Sequence, residues 1–69
     1  MASYSLFDVI YLKNDLPEKG LKKGVLGTIV HIYDEPSPAY DIEFCDDNGE
    51  TLAWITLTPD CFSKVDFKK

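Results

Sequence analysis

Large apolar residues occupy alternate positions at Tyr40, Ile42 and Phe44, with Asp41, Glu43 and Cys45 between them. This two-residue period predicts a β-strand with three large side chains inward and two carboxylates outward. The same period returns after Asp46-Asp47-Asn48-Gly49, where Ala53, Ile55 and Leu57 form one face and Leu52, Trp54 and Thr56 the other. Before it, Lys23 to Tyr33 is rich in β-branched residues, which fit a pleated surface. Lys23 to Leu57 thus predicts three consecutive antiparallel strands.

The strand starting at Gly24 is expected to be irregular. Ile29 and Ile32 are an odd number of residues apart, so a flat strand cannot turn both inward. A bulge or strong coiling near Val30-His31 reconciles them. Gly27, inside the same strand, predicts a bulge, a bend or a close backbone approach. The prolines of Asp34-Glu35-Pro36-Ser37-Pro38 exclude a central strand and predict a turn. Asn48-Gly49 predicts a tight hairpin in which Gly49 supplies a positive φ.

The flanks complete the set. Asp8 to Leu12 reads as a short strand with Ile10 and Leu12 inward and Tyr11 on the opposite face. Lys13 to Gly20 reads as a loop holding one helical turn at Pro17-Glu18, with Leu16 and Leu21 pinning it over an open barrel end. Thr58 to Phe62 predicts a one-turn 3₁₀ link, and Phe62 to Phe67 a last strand. Residues 1–69 then make a single domain, an all-β, small five-stranded SH3-like barrel. Five short strands closing on themselves avoid exposed sheet edges.

Size and charge narrow the role. Sixty-nine residues supply one compact core and no room for a deep substrate pocket. All seven basic residues are lysines, and none lies between Lys23 and Lys64. Gly24 to Ser63 carries a formal −8, offset by +1 before it and +2 after it to the chain's −5. Such a surface repels nucleic acid and attracts basic partners. The amino-terminal stretch lacks the pattern of a signal peptide, and no segment approaches a membrane span. A cytoplasmic location is expected, and Cys45 and Cys61 are expected to be buried or half-buried free thiols.

No motif for chemistry emerges. His31, Cys45 and Cys61 are the soft metal-ligand candidates, but none has a close ligand partner of the Cys-x-x-Cys kind, so no metal is expected. A single histidine on a strand leaves no material for a nucleophilic triad, so neither catalysis nor a cofactor is expected. Asp46 to Glu50 lacks the spacing and length of an EF-hand and reads as a hairpin. The residues that point to binding lie on the outward side of the meander. Trp54 either caps the barrel edge or covers the core, or faces outward, where, with Leu52 beside it, it is the candidate anchor. Asp41 and Glu43, flanked by Asp34, Glu35 and Asp47, form the candidate acidic surface for a basic protein.

Several segments occur in an order that resembles a known bacterial family: Asp8-Val9-Ile10, Asp15-Leu16-Pro17-Glu18, Gly20-Leu21-Lys22-Lys23-Gly24, Gly27-Thr28-Ile29-Val30, Ala39-Tyr40-Asp41-Ile42-Glu43-Phe44 and Gly49-Glu50-Thr51. The chain is similar over about Phe7 to Asp60 to the short proteins called domain of unknown function 4926. The resemblance implies an SH3-like fold and carries over no catalytic residues. Members are often encoded beside toxin-like genes, which implies an antitoxin or immunity role. Gly24 to Ile32 also resembles, more weakly, the KOW element of ribosomal and transcription factors. Those modules bring basic residues to RNA, whereas no lysine or arginine follows Lys23 here. The expected function is therefore a protein-binding module covering a basic partner, with an accessory subunit docked on an enzyme as the alternative. A KOW-like nucleic-acid role is disfavoured by the charge.

Overall fold

In the computed structural model, which describes residues 4–65, five strands form one antiparallel sheet. They are β1 (Val9–Leu12), β2 (Leu26–Tyr33), β3 (Ala39–Cys45), β4 (Thr51–Leu57) and β5 (Phe62–Lys64). The order across the sheet is β4-β3-β2-β1-β5. Two one-turn 3₁₀ segments, Pro17–Lys19 and Pro59–Cys61, are the only helical pieces among the described residues. The chain is all-β, as its alternation predicts.

The sheet curls strongly. Tyr40 on β3 meets Phe62 on β5 with ring centroids 5.7 Å apart, edge to face. In a flat sheet those strands would be separated by three spacings, roughly 14 Å. The curl wraps the inner faces around one core of Ile10, Leu12, Leu21, Ile29, Tyr40, Ile42, Phe44 and Phe62, all buried. Ala53, Ile55 and Leu57 of β4 pack against it from the side. Tyr4 closes one end, its ring edge-on to Tyr40 at 5.3 Å and to Phe62 at 5.0 Å. Leu16 and Leu21 pair as an isolated bridge, which holds the loop after β1 across the core.

Two register shifts shape the meander. Ile29 pairs with Ile42 and His31 with Asp41, so Val30 is the extra residue of a bulge. The bulge turns Ile29 and Ile32 to the same side and answers their odd spacing. A second shift places Cys45 against Thr51 but Phe44 against Ala53, making Leu52 the extra residue on β4.

Some boundaries differ from expectation. β2 begins at Leu26, because Gly24 and Val25 are still bonded to Leu12 and within the turn from Lys22. β5 ends at Lys64 although Val65 N still donates to Val9 O; Asp66 and Phe67 lie outside the described residues. The β3–β4 connection is longer than a two-residue hairpin. Gly49 N donates to Asp46 O and Asp46 N to Glu50 O, with Gly49 at φ 84°. This is a type I turn finished by a glycine in the left-handed region. Asp46 Oδ1 locks it by accepting from the backbone N–H groups of Asn48 and Glu50.

The tightest point of the curl is Gly27. A Cβ there would lie 2.7 Å from Ile42 Cγ2 and 2.7 Å from Phe44 Cδ1. Both neighbours are fully buried, so neither can swing away cheaply. The glycine therefore marks a close approach, and the bulge lies further along the strand. Gly27→Ala should destabilise the fold by about 1–3 kcal/mol through overpacking, and Gly27→Val by more. Denaturant melts test this; a midpoint equal to that of the parent would show that Phe44 yields without cost.

Candidate functional site

Neighbouring antiparallel strands bring outward side chains of alternate residues into contact. On β3 those are Asp41 and Glu43, since Tyr40, Ile42 and Phe44 are buried. The register sets Glu43 against Trp54 and Asp41 against Thr56 on β4, with Asp41 also opposite His31 on β2. Trp54 is 59% exposed and Leu52 51%, so both present apolar surface to solvent. The structure thus brings Asp41, Glu43 and Trp54 together, with Leu52 at the bulge beside them.

The remaining acidic candidates are placed apart. Asp34 and Glu35 lie in the β2–β3 turn and Asp47 in the β3–β4 turn, all exposed. The seven residues of β3 separate those turns by roughly 20 Å. They flank the centre from opposite ends and do not join it.

Asp41 is the hub of the face. Its Oδ2 accepts from the Tyr33 hydroxyl at 2.9 Å and its Oδ1 from the Thr56 hydroxyl. The Thr56 bond, then the Tyr33 bond, hold its carboxyl below the ordinary range against the opposing effect of desolvation, with smaller help from His31 and the Trp54 indole. The same bond raises the Tyr33 phenol above its usual value. Tyr33 also stacks edge-on against His31 at 4.5 Å. Glu43 Oε2 accepts from the Thr51 hydroxyl at 2.6 Å. Asp41 therefore spends its oxygens within the chain and holds the Tyr33 and Thr56 side chains in place.

Sequence reasoning missed Tyr33, Thr51 and Thr56. Their partners depend on cross-strand register, which the alternation of one strand does not give. An open groove of about 420 Å³ adjoins Glu43 on the same outer side. Val9, Val25 and Leu26 line it together with Glu43, Asp46 and Asp47. Cys45 also lines this groove and is exposed, against the expectation of a buried or half-buried thiol, because it faces the carboxylate side of β3. Cys61 is half-buried, as expected.

Among the described residues no ion pair neutralises the acidity of the meander. Among the described residues the one ion pair joins Lys64 Nζ to Asp8 at 3.6 Å, outside the meander. No three of His, Cys, Asp and Glu among the described residues are grouped to hold a metal. No described helix is long and apolar enough to cross a membrane.

Fold and face together define a small all-β domain with an acidic outer surface centred on an exposed tryptophan. The family described as Domain of unknown function (DUF4926) matches residues 6–64, and the chain belongs to it. No curated protein and no solved structure gave a match.

The pH dependence of the Asp41 cluster follows from its direction of shift. A carboxyl held below its ordinary 3.8 in the fold adds stability above that value, and loses it as pH falls through the lower folded value. Asp41→Asn should therefore be less stable than the parent near neutral pH. Its stability should also fall less steeply on acidification. Denaturant melts from about pH 6 to about pH 2 measure both. Parallel acid limbs would show that the Thr56 and Tyr33 bonds are not retained in solution.

Proposed function

We propose that the chain is a protein-binding module whose acidic face covers a basic surface of a protein partner. The observation that carries this reading is the register pair Glu43 and Trp54, with Asp41 one step along the same face. An exposed indole beside fixed carboxylates offers one desolvated anchor and a field that selects positive partners. The formal −8 of Gly24 to Ser63 speeds the encounter, and Trp54 with Leu52 sets how long the complex lasts. The most specific form of the reading is a cytoplasmic antitoxin or immunity protein that occupies the functional surface of a basic toxin. Support for that form is the charge together with the toxin-like gene neighbourhood that membership of the family implies.

Binding kinetics with the protein encoded beside it test the proposal. Asp41→Lys combined with Glu43→Lys should slow association and flatten its salt dependence. Trp54→Ala should speed dissociation, costing about 2 kcal/mol or more. If both variants bind like the parent, the interface lies elsewhere.

Nucleic acid should not compete for this face. Fluorescence anisotropy with mixed-sequence oligonucleotides is expected to show no appreciable binding at physiological salt. Micromolar binding that weakens steeply with added salt would instead favour a KOW-like role.

A further inference from the structure

β4 is an edge of the sheet, paired with β3 on one side only. Which of its backbone groups are free follows from the ladder. Ile29 N donates to Asp8 O, and Ile29 O accepts from Phe7 N, so both polar groups of Ile29 point away from β3. Ile29 and Ile42 are thus a non-hydrogen-bonded pair, and the polar groups of Ile42 must point the other way, at β4. Its β4 partner Ile55 is then bonded inward, and alternation leaves the N–H and C=O of Trp54 and Thr56 aimed off the edge. Among the described residues, no backbone hydrogen bond outside the ladders involves residues 51–57.

Apart from the bulge at Leu52 near its start, this edge lacks the usual protections. Thr51-Leu52-Ala53-Trp54-Ile55-Thr56-Leu57 holds no charge and no proline over seven residues. Natural edges of that length are normally shortened, charged or covered, because free ladder groups template another strand. Here the free backbone positions are also those whose side chains stand exposed on the acidic face.

We propose that β4 accepts an extended basic segment of a partner protein as a sixth strand. This rests on the reading above for the sign of the partner's charge, and adds how the partner is held. Main-chain bonds to Trp54 and Thr56 supply the affinity that any strand would share. Specificity comes from side chains on the outer face of the added strand. A lysine or arginine placed there lies against the Trp54 indole, where a cation is attracted to the ring. It also lies about 10 Å from the backbone of the Asp41–Glu43 row, two strand spacings away, and its stem extends towards those carboxylates. Charge decides against the simplest rival, a second copy of the chain. Pairing two β4 edges would set two Gly24–Ser63 stretches of formal charge −8 side by side.

Amide hydrogen exchange on the full chain, read residue by residue by NMR, tests this. The probe is a short synthetic peptide of alternating lysine and valine, with its glutamate–valine counterpart as control. In the free protein the Trp54 and Thr56 amides should exchange fast and that of Ile55 slowly. The lysine peptide should slow Trp54 and Thr56 about tenfold when nine-tenths or so of the chains are occupied, and leave Ile55 unchanged. The glutamate peptide should do neither. Thr56→Pro removes an edge donor without touching the β3 ladder and should weaken lysine-peptide binding about tenfold. Thr56→Val loses the same hydroxyl but keeps the donor, so it measures the loss due to the hydroxyl alone, and Thr56→Pro should bind about tenfold more weakly than Thr56→Val.

Three results would overturn the inference. The first is peptide binding that quenches Trp54 fluorescence and is lost in the Asp41→Lys, Glu43→Lys double variant, yet protects no edge amide. The acidic face would then be the docking site, with no added strand at β4. The second is edge protection in the free protein, whether constant or rising with protein concentration, which would show that the chain or a second copy already covers β4. The third is absence of binding by either peptide; partner kinetics with the charge-reversed variant would then judge the face separately.

Discussion

The missing side chain at Gly27 is the constraint on which the rest of the structure depends. Ile42 and Phe44 occupy the space where any Cβ would sit, so the side chains of β3 lie directly over the β2 backbone there. That approach allows a sheet of five short strands to curl far enough for Tyr40 to reach Phe62. A chain this short has little apolar area to spare, and a flatter sheet would leave one side of its aromatics in water. The outer surface follows from the inner one. Once three large residues of β3 are turned into the core, Asp41 and Glu43 have nowhere to go but out.

Much of this was legible in the residues, and most of the parts that were not share a cause. The run Tyr40 to Phe44 announces its own two faces, and the odd spacing of Ile29 and Ile32 announces the bulge at Val30. Alternation turns Trp54 outward only if Ala53, Ile55 and Leu57 turn inward, and leaves a core-covering indole open; the structure shows it exposed. What stayed hidden depends on register between strands. Nothing local to Leu52 marks it as the extra residue of β4, and nothing local to Tyr33 shows that its hydroxyl will find Asp41 eight residues on. Tyr4, outside every strand, gives no periodic sign that it will cap the core against two aromatic rings. Cys45 defeated expectation for another reason. Thiols are usually buried, but here strand parity outranked the preference of the residue type.

Charge and contact are divided between different residues on the outer face. Asp41 is satisfied by Tyr33 and Thr56, which fixes the geometry around Trp54 and leaves its negative charge to act at a distance. Asp34, Glu35 and Asp47 sit at the two ends of the hairpins, where they extend the field beyond the indole. An internal lysine network could have cancelled that field, and among the described residues the meander has none. Self-repulsion of this kind is a cost to a small fold, so retaining it uncompensated is consistent with a use outside the fold.

The strand order has a kinetic consequence. β2, β3 and β4 are joined in sequence by short turns, so their pairing needs only small loops to close. The pairing of β1 with β5 instead joins Ile10 to Lys64 and Leu12 to Phe62, and encloses nearly all of the chain between them. Closing that long loop costs entropy before Phe62 can repay it by entering the core. The meander is thus the part suited to form early, with Gly27 and Phe44 already in register, while β5 locks last. A chain in which β5 has come away still holds the face that carries Trp54, Asp41 and Glu43.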